Sequence, residues 1–360
     1  MFTRISALCI AATLSALIGA QASASPSYSA RGLSWDYGIE SNLSGINQLA
    51  HTIGTSYGSG IMPAATNWGA IAGSMGTNNE YLSWGTGLND AGLASGYTLA
   101  YVGSYNYTVA MVGKKLMYAD ASIESNAYGI NNHGVAVGYA KAYTTGNPKF
   151  DMGKPNHATV WTNLTATDIH PVGATNSYAR SINDAGQIAG EVDGVITRWD
   201  NGTASYLAAG KAAGINSLGA VAGTSNGNVM VWDSLGAHNL GAGTAGAINA
   251  LGQVVGSANG RATMWSDGLV YDLNSFLSAA VLNAGWLLYE ATGINDAGYI
   301  AANGYNSLLG VRQGYLLSPI SLLAPVPEAQ TWAMLLAGLC LVGMTTRRRK
   351  IAAHQRPLMS

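Results

Sequence analysis

One short motif recurs along this chain and constrains its fold more than any other feature. The motif is Ile-Asn-x-x-Gly-x-Val-x-Gly, with small variations, and it joins two short apolar runs. Seven copies are present when the looser ones are counted, and their asparagines are Asn47, Asn89, Asn131, Asn183, Asn216, Asn249 and Asn295. A motif repeated at this interval is typical of a repeat protein, in which neighbouring units stack to bury a continuous core.

The motif itself predicts a tight turn. Asn and Asp side chains bond the backbone of their own turn, and Gly supplies a left-handed position. The glycines expected at that position are Gly134, Gly186, Gly219, Gly252 and Gly298. Asp90, Asp184 and Asp296 follow motif asparagines, and we interpret them as turn residues rather than calcium ligands, since Asn132, Ser217 and Ala250 fill the same slot elsewhere.

One unit, from Ser177 to Ala209, reads as four short strands: SYARSIN, QIAGEV, VITRWD and ASYLAA. A tryptophan predicted to lie in the core occurs 16 residues after the asparagine in three copies, at Trp199, Trp232 and Trp265. Trp161 and Trp68 are later equivalents after insertions, and Tyr315 is the candidate in the last copy.

These units predict an all-β fold, a repeat array of short antiparallel four-stranded units, best interpreted as a seven-bladed β-propeller. Charged residues make up only 10% of the chain and glycines number 47, which favours closely spaced turns over helices. Leu33-Ser34-Trp35-Asp36 resembles the third strand of a unit and is expected either to pair with the last copy or to mark a partial eighth blade. An open β-solenoid is the other alternative, disfavoured because the motif spacing varies from 33 to 52 residues.

The N-terminus predicts a secretory signal peptide over residues 1–24. A basic residue, Arg4, precedes an apolar run, and the small residues Ala22-Ser23-Ala24 follow. Cleavage by signal peptidase is expected after Ala24, with Ala22 as the alternative. The repeat domain then extends over residues 25–320.

The C-terminus predicts a sorting tail in three parts. Residues 321–331 form a linker, 332–346 a short transmembrane segment and 347–360 a basic cytoplasmic tail. Pro327 is expected to keep the segment before the apolar run extended and accessible.

This tail resembles the PEP-CTERM sorting signal of Gram-negative bacteria. The matching residues are Val326, Pro327, Glu328, Trp332 and the cluster Arg347, Arg348 and Arg349, whereas Ala329 stands where the family usually has Pro. The resemblance implies processing by an exosortase near Pro327-Glu328. It also implies a transient membrane anchor, followed by delivery to the cell surface or the extracellular matrix of an organism that makes exopolysaccharide.

The repeats resemble the bacterial extracellular HAF repeat family over roughly residues 40–320. His157-Ala158-Thr159 is the nearest match to the His-Ala-Phe element, and Arg261-Ala262-Thr263 is a weaker one. This resemblance implies an extracellular repeat protein and no known chemistry.

The sequence shows no catalytic, metal or cofactor motif. Between the two terminal segments there are 11 basic and 18 acidic residues, which argues against nucleic-acid binding. The only cysteines, Cys9 and Cys340, lie in those terminal segments, so no disulfide or cysteine metal site is expected in the repeats.

Tyrosines are the remaining candidates for binding, because aromatic faces suit sugar rings. They are concentrated in the second copy, at Tyr97, Tyr101, Tyr105 and Tyr107, with cross-strand packing as the alternative role. We therefore expect a non-enzymatic structural or adhesive protein linked to exopolysaccharide. The alternatives are a carbohydrate-binding propeller and a propeller hydrolase or lyase.

Overall fold

The computed structural model describes residues 27–33, 38–58, 63–68, 73–74, 83–102, 105–117, 124–141 and 153–320. Regular structure in these residues is almost entirely β-strand. The exceptions are a 3₁₀ turn at Leu273–Phe276 and one short helix, α1 (Ala279–Asn283), which Ser278 caps through its side chain. The predicted all-β class is confirmed.

The described strands form seven four-stranded antiparallel sheets. The first three sheets in chain order contain β2 (Gly38–Ile46), β3 (Thr52–Gly58), β4 (Pro63–Trp68) and β5 (Gly73–Ser74); β6 (Ser83–Leu88), β7 (Ala94–Val102), β8 (Tyr105–Val112) and β9 (Lys115–Met117); and β10 (Ser125–Ile130), β11 (Ala136–Lys141), β12 (Asn156–Thr162) and β13 (Thr165–Asp168).

The next three sheets contain β14 (Ser177–Ile182), β15 (Ile188–Val192), β16 (Val195–Asp200) and β17 (Thr203–Ala209); β18 (Lys211–Ile215), β19 (Val221–Ser225), β20 (Asn228–Asp233) and β21 (Gly236–Ala242); and β22 (Thr244–Ile248), β23 (Val254–Ala258), β24 (Arg261–Ser266) and β25 (Leu269–Asp272). The seventh sheet contains β26 (Trp286–Ile294), β27 (Ile300–Asn306), β28 (Val311–Pro319) and β1 (Tyr28–Leu33).

The predicted unit boundaries are confirmed in the sheet formed by β14 to β17. The strands follow one another as a meander, and the motif turn joins the first strand to the second. A meander of this kind has two apolar faces, so it must pack against neighbours. The cluster around Trp199 shows this packing, because it combines Val137 and Ala158 of the third sheet with Ile188 of the fourth.

The tryptophans occupy one register position. Trp161, Trp199 and Trp265 are almost fully buried, and each lies on a third strand opposite the first residue of the second strand, as Trp199 does opposite Ile188. The prediction that they belong to the core is confirmed. Trp232 has the same register, opposite Val221, but it is only partly buried, and the side chain of Trp68 lies outside the described part of the chain. The prediction for Tyr315 was wrong in register: Leu317 lies opposite Ile300, and Tyr315 is buried two residues earlier on the same strand.

The last sheet is completed by the N-terminal strand. β1 pairs with β28, with Leu33 opposite Gly314, so the expected pairing with the last copy is confirmed. Of the segment expected to resemble a third strand, the structure describes only Leu33, which ends the outermost strand β1, and residues 34–36 lie outside the described part. The last copy supplies only three strands before Ile320, and β1 covers the edge that would otherwise stay open.

The first and last sheets also contact each other directly. The amide N–H of Leu43 donates to Asn303 Oδ1 at 2.7 Å, and Asn303 Nδ2 donates to the Leu43 carbonyl at 3.0 Å. The sheets therefore close around an axis, with the first strand of each copy lining a central channel. This arrangement is a β-propeller, and the open β-solenoid alternative was wrong.

Candidate functional site

The seven motif asparagines form a closed ring of hydrogen bonds around the channel. Each side chain is buried, and its Nδ2 donates to the backbone carbonyl of the next motif asparagine at 2.9–3.2 Å. Asn295 donates to the carbonyl of Asn47 at 3.1 Å and closes the ring. The motif asparagine therefore joins neighbouring copies as well as shaping its own turn.

The same asparagines organise the turns from within. In the fifth copy, Asn216 Oδ1 accepts from the amides of Leu218 at 3.1 Å and Ala220 at 2.9 Å. The turn glycines have φ between +75° and +83°, the left-handed region that side chains rarely adopt; they are Gly134, Gly186, Gly219, Gly252 and Gly298. Six of the asparagines line one section of the channel, and the glycines allow the turns that position them.

The acidic turn residues bond the neighbouring copy. Asp184 Oδ1 accepts from the amide of Asn132 at 2.8 Å, and Asp296 Oδ1 accepts from the amide of Ala250 at 2.7 Å. Asp90 accepts in the same way from Gln48 at 2.8 Å. Among the residues that the structure describes, no group of three or more His, Cys, Asp or Glu side chains is arranged to hold a metal ion.

The innermost strands share a second feature that the motif did not reveal. Each has a β-bulge three residues before its motif asparagine, and the extra residues are Ser44, Thr86, Tyr128, Arg180, Ala213, Gly246 and Thr292. A bulge redirects a side chain from the regular alternation of a strand. All seven of these residues line one section of the channel, a cavity of about 410 Å³. We call this section the bulge section.

Among the seven bulge residues, only Tyr128 and Arg180 have large side chains, and these two lie next to each other. The guanidinium carbon of Arg180 lies 4.7 Å from the ring centre of Tyr128 and 4.9 Å from that of Tyr178. Tyr139 packs against both tyrosines, with ring centres at 5.8 and 5.4 Å. These four side chains form the tyrosine–arginine cluster, in which cation–π contacts fix the guanidinium.

A buried carboxylate completes the cluster. Arg180 Nε donates to Glu191 Oε2 at 2.8 Å, and the other oxygen of Glu191 accepts from the amide of Ala212 in the next sheet at 2.8 Å. Burial lowers the pKa of Arg180, but Glu191 and Tyr128 outweigh this and leave the pKa above its usual value. Arg180 therefore stays charged at any physiological pH.

Tyr128 and Tyr139 stay neutral at physiological pH. Burial raises the pKa of Tyr128, and the nearby Arg180 guanidinium reverses only part of that increase. Burial also raises the pKa of Tyr139, with further increases from Tyr128 and Glu124. Neutral phenol rings beside a fixed cation form a surface that can stack on a ligand and hydrogen-bond to it.

Three buried oxygen atoms of the channel wall and of the residues beside the cluster lack a hydrogen-bond partner among the described residues. Thr292 Oγ1 belongs to the bulge section, Asn126 Oδ1 is two residues from Tyr128, and Asn156 Oδ1 is on an amide whose nitrogen donates to Tyr178 Oη at 2.7 Å. Buried polar atoms are nearly always paired in folded proteins.

The tyrosines predicted from the second copy are placed differently from this cluster. Tyr97 is half-buried and stacks on Trp84 with ring centres 5.1 Å apart, and Tyr107 is buried. Both placements favour cross-strand packing. Of Tyr101 and Tyr105 the structure describes only the strand pairing, in which Tyr101 lies opposite Asn106 and Val102 opposite Tyr105.

A pair of stacked histidines lies at the interface of the third and fourth sheets. The rings of His157 and His170 are parallel with centres 3.7 Å apart, and His157 Nδ1 is 2.7 Å from Asp168 Oδ2. His170 Nδ1 lies 2.7 Å from Ser177 Oγ, which also accepts from the amide of Ala158. These bonds link the third sheet to the fourth, and Ser177 is fully buried between them.

One sequence position, three residues before the motif asparagine, indicates where the cluster lies. Position three before the motif asparagine carries small or hydroxyl residues in five copies, and only Tyr128 and Arg180 depart from this pattern. Arg180 was not among the residues predicted from the sequence, because periodicity alone does not reveal a bulge.

The predicted sorting residues lie outside the described part of the chain. This applies to the signal cleavage residues Ala22 and Ala24, the Val326-Pro327-Glu328 motif, Trp332 and the arginine cluster. The predicted transmembrane segment 332–346 also lies outside. Within the described residues, no helix has the length and hydrophobicity needed to cross a membrane.

The sequence and the fold were compared with those of known proteins. No protein-family model matches the sequence, and no curated protein matches it. Among solved structures, the chain is similar to a gluconolactonase of Xanthomonas campestris with a TM-score of 0.38 and 9% sequence identity, over 82% of this chain and 95% of that chain. A similarity at this level assigns neither an activity nor a substrate to the chain.

Proposed function

We propose that this protein is an exported, non-enzymatic β-propeller that binds exopolysaccharide and has a structural or adhesive role at the cell surface or in the extracellular matrix. The tyrosine–arginine cluster carries this proposal. Its Tyr128 ring and its fixed Arg180 cation line a channel section of about 410 Å³, which is ligand-sized, since small-ligand sites commonly measure about 300–1,000 Å³.

The proposal includes a ring of seven blades. Its support is the number of described sheets and the cycle of seven asparagine hydrogen bonds that returns from Asn295 to Asn47. A ring closed in this way holds the channel wall rigid, so a ligand would meet a preformed site and lose less free energy to ordering.

The proposal also includes export and sorting. Its support is the signal-peptide pattern of residues 1–24 and the PEP-CTERM-like tail, which would direct the chain to signal peptidase and then to an exosortase. Mass spectrometry of the mature protein should find a C-terminus near Glu328 in the extracellular fraction. A mature chain that retains Arg347 in the inner membrane would contradict the sorting proposal.

Sugar binding is tested by retention of the purified protein on immobilised exopolysaccharide from its own host. Tyr128→Ala should weaken retention about tenfold, because one stacking face is lost from the channel wall. Tyr206→Ala is the matched control, since Tyr206 is exposed on the outer strand of the fourth sheet and should leave retention unchanged.

The same assay separates binding from catalysis. Intact polysaccharide recovered after long incubation supports the binding proposal. Release of new sugar ends by the wild-type protein would contradict it and assign a propeller hydrolase or lyase instead. Equal retention of Tyr128→Ala and Tyr206→Ala would place the sugar site away from the cluster.

A further inference from the structure

The central channel differs in charge between its two sections. The described residues that line the bulge section include Arg180 and Lys211 and no Asp or Glu. The section lined by the motif turns includes Asp90, Asp184 and Asp296 and no Lys or Arg. The two sections share a ring of Ile and Leu side chains, the residues that directly precede the motif asparagines, such as Ile182.

The two cations of the bulge section differ in their partners. Arg180 is partly neutralised by Glu191, which bonds its Nε but does not line the section. Lys211 is exposed and forms no ion pair with a residue that the structure describes. The bulge section therefore carries a net positive charge inside a chain whose repeats are acidic overall.

We propose that the bulge section binds the carboxylate of an acidic sugar unit, a hexuronate, within the bound polysaccharide. This inference rests on the proposed function and narrows its ligand. A guanidinium held between two tyrosine rings presents a planar fork that matches a carboxylate, and Lys211 adds a second charge from the neighbouring sheet.

The surrounding residues suit the rest of such a sugar. Tyr128 lines the same section, and Ser44 and Thr86 line it with hydroxyl groups that are able to hydrogen-bond to a sugar. The acidic turn section at the other mouth would repel the same anion. The polymer would therefore approach from the bulge section.

The test compares two acidic polymers, polygalacturonate and alginate, with their carboxyl-reduced forms, which keep the same linkages without the charge. The full chain should bind at least one acidic polymer about tenfold more tightly than its reduced form, measured by affinity electrophoresis. Free galacturonate should compete with that binding, whereas inorganic phosphate at the same concentration should not.

Lys211→Gln should lower the preference for the acidic polymer to about threefold or less, since one of two charges is lost. Lys114→Gln is the matched control. Lys114 is exposed in a turn of the second sheet, and its substitution removes the same charge from the protein. Arg180→Lys keeps the positive charge but loses the planar guanidinium. It should also lower the preference for the acidic polymer, while the circular dichroism spectrum remains that of the wild type.

The outcomes separate this inference from the proposed function. Equal binding of acidic and reduced polymers, or equal loss from Lys211→Gln and Lys114→Gln, would overturn the uronate site and leave sugar binding intact. Competition by phosphate as strong as by galacturonate would reduce the site to a general anion site and overturn the sugar assignment. Failure to bind any of the four polymers would overturn the uronate site, whereas loss of retention on the host's own exopolysaccharide would overturn the proposed function.

Discussion

At the scale of single residues, the two glycines of one motif copy are required for different physical reasons. Gly186 has φ of +79°, and a Cβ there would meet no atom within 4 Å. Gly190 has ordinary backbone angles, but a Cβ there would lie on the carbonyl oxygen of Tyr178. The bulge at Arg180 explains the crowding, since it changes the strand pairing directly opposite Gly190.

Alanine at the two positions should therefore have unequal effects on stability. Gly186→Ala should cost about 1 kcal/mol of unfolding free energy, the usual penalty for a left-handed alanine, and Ala50 already occupies the equivalent turn position at φ of 60°. Gly190→Ala should cost about 3 kcal/mol or more, because the backbone must move to relieve the overlap. Urea unfolding of both variants measures the difference.

Equal losses for the two variants would contradict this account of the motif. The last copy gives a natural comparison, since Ala302 stands where the other six copies have the final glycine. The inner strand β26, which pairs with the strand that contains Ala302, has a second bulge between Leu288 and Glu290 in that copy.

At the scale of elements, neighbouring sheets are joined by side chains as well as by apolar packing. The inner strands do not pair with each other, since each belongs to a separate sheet. The asparagine ring supplies polar links between them, and Thr86 Oγ1 adds another by donating to the carbonyl of Ala127 at 2.8 Å. Where the last sheet meets the first, the side chains of Asn303 and Ser41 form such hydrogen bonds between the two sheets.

Removing one asparagine of the ring should weaken the contact between two sheets. Asn216→Ala loses the bond to the Asn249 carbonyl and leaves the buried amide of Ala220 unpaired, so we expect a loss of about 3 kcal/mol in unfolding free energy. Asn239→Ala is the matched control, because Asn239 is exposed on β21 and bonds only its own turn, to Gly241. Thermal unfolding of the two variants provides the measurement, and a similar midpoint for both would show that the ring adds little.

At the scale of the whole molecule, the buried tyrosines set an upper pH limit for folding. Burial raises the pKa of Tyr289 and of Tyr315 to about 12, and it also raises the pKa of Tyr28, Tyr128 and Tyr139. Below pH 10 these groups are protonated in both states. Above it the unfolded chain loses protons that the folded chain keeps, so stability falls as pH rises.

The thermal midpoint should therefore fall steadily between pH 10 and 12, and tyrosinate absorbance should rise further at the unfolding transition, when these tyrosines become exposed to solvent. Tyr315→Phe should make this fall less steep, because one shifted group is removed. Tyr206→Phe, at an exposed position, should not change it. A midpoint that stays level to pH 12 would contradict the linkage.

The sequence by itself determined the repeat, the turns and most of the core. Local chemistry is enough for these features, because Asn-x-x-Gly specifies a turn and alternating apolar residues specify a strand with one buried face. Four strands per unit, the burial of Trp199 and the pairing of the N-terminus with the last copy were all predicted on this basis.

Only the tertiary structure decided where the candidate site lies. Tyr128 and Arg180 are 52 residues apart in the chain, and they meet because bulges on adjacent inner strands turn both side chains towards one channel. The opposite charges of the two channel sections likewise arise from closure of the ring. Periodicity assigns residues to faces but not to angular positions around an axis, so the sequence pointed to the tyrosines of the second copy instead.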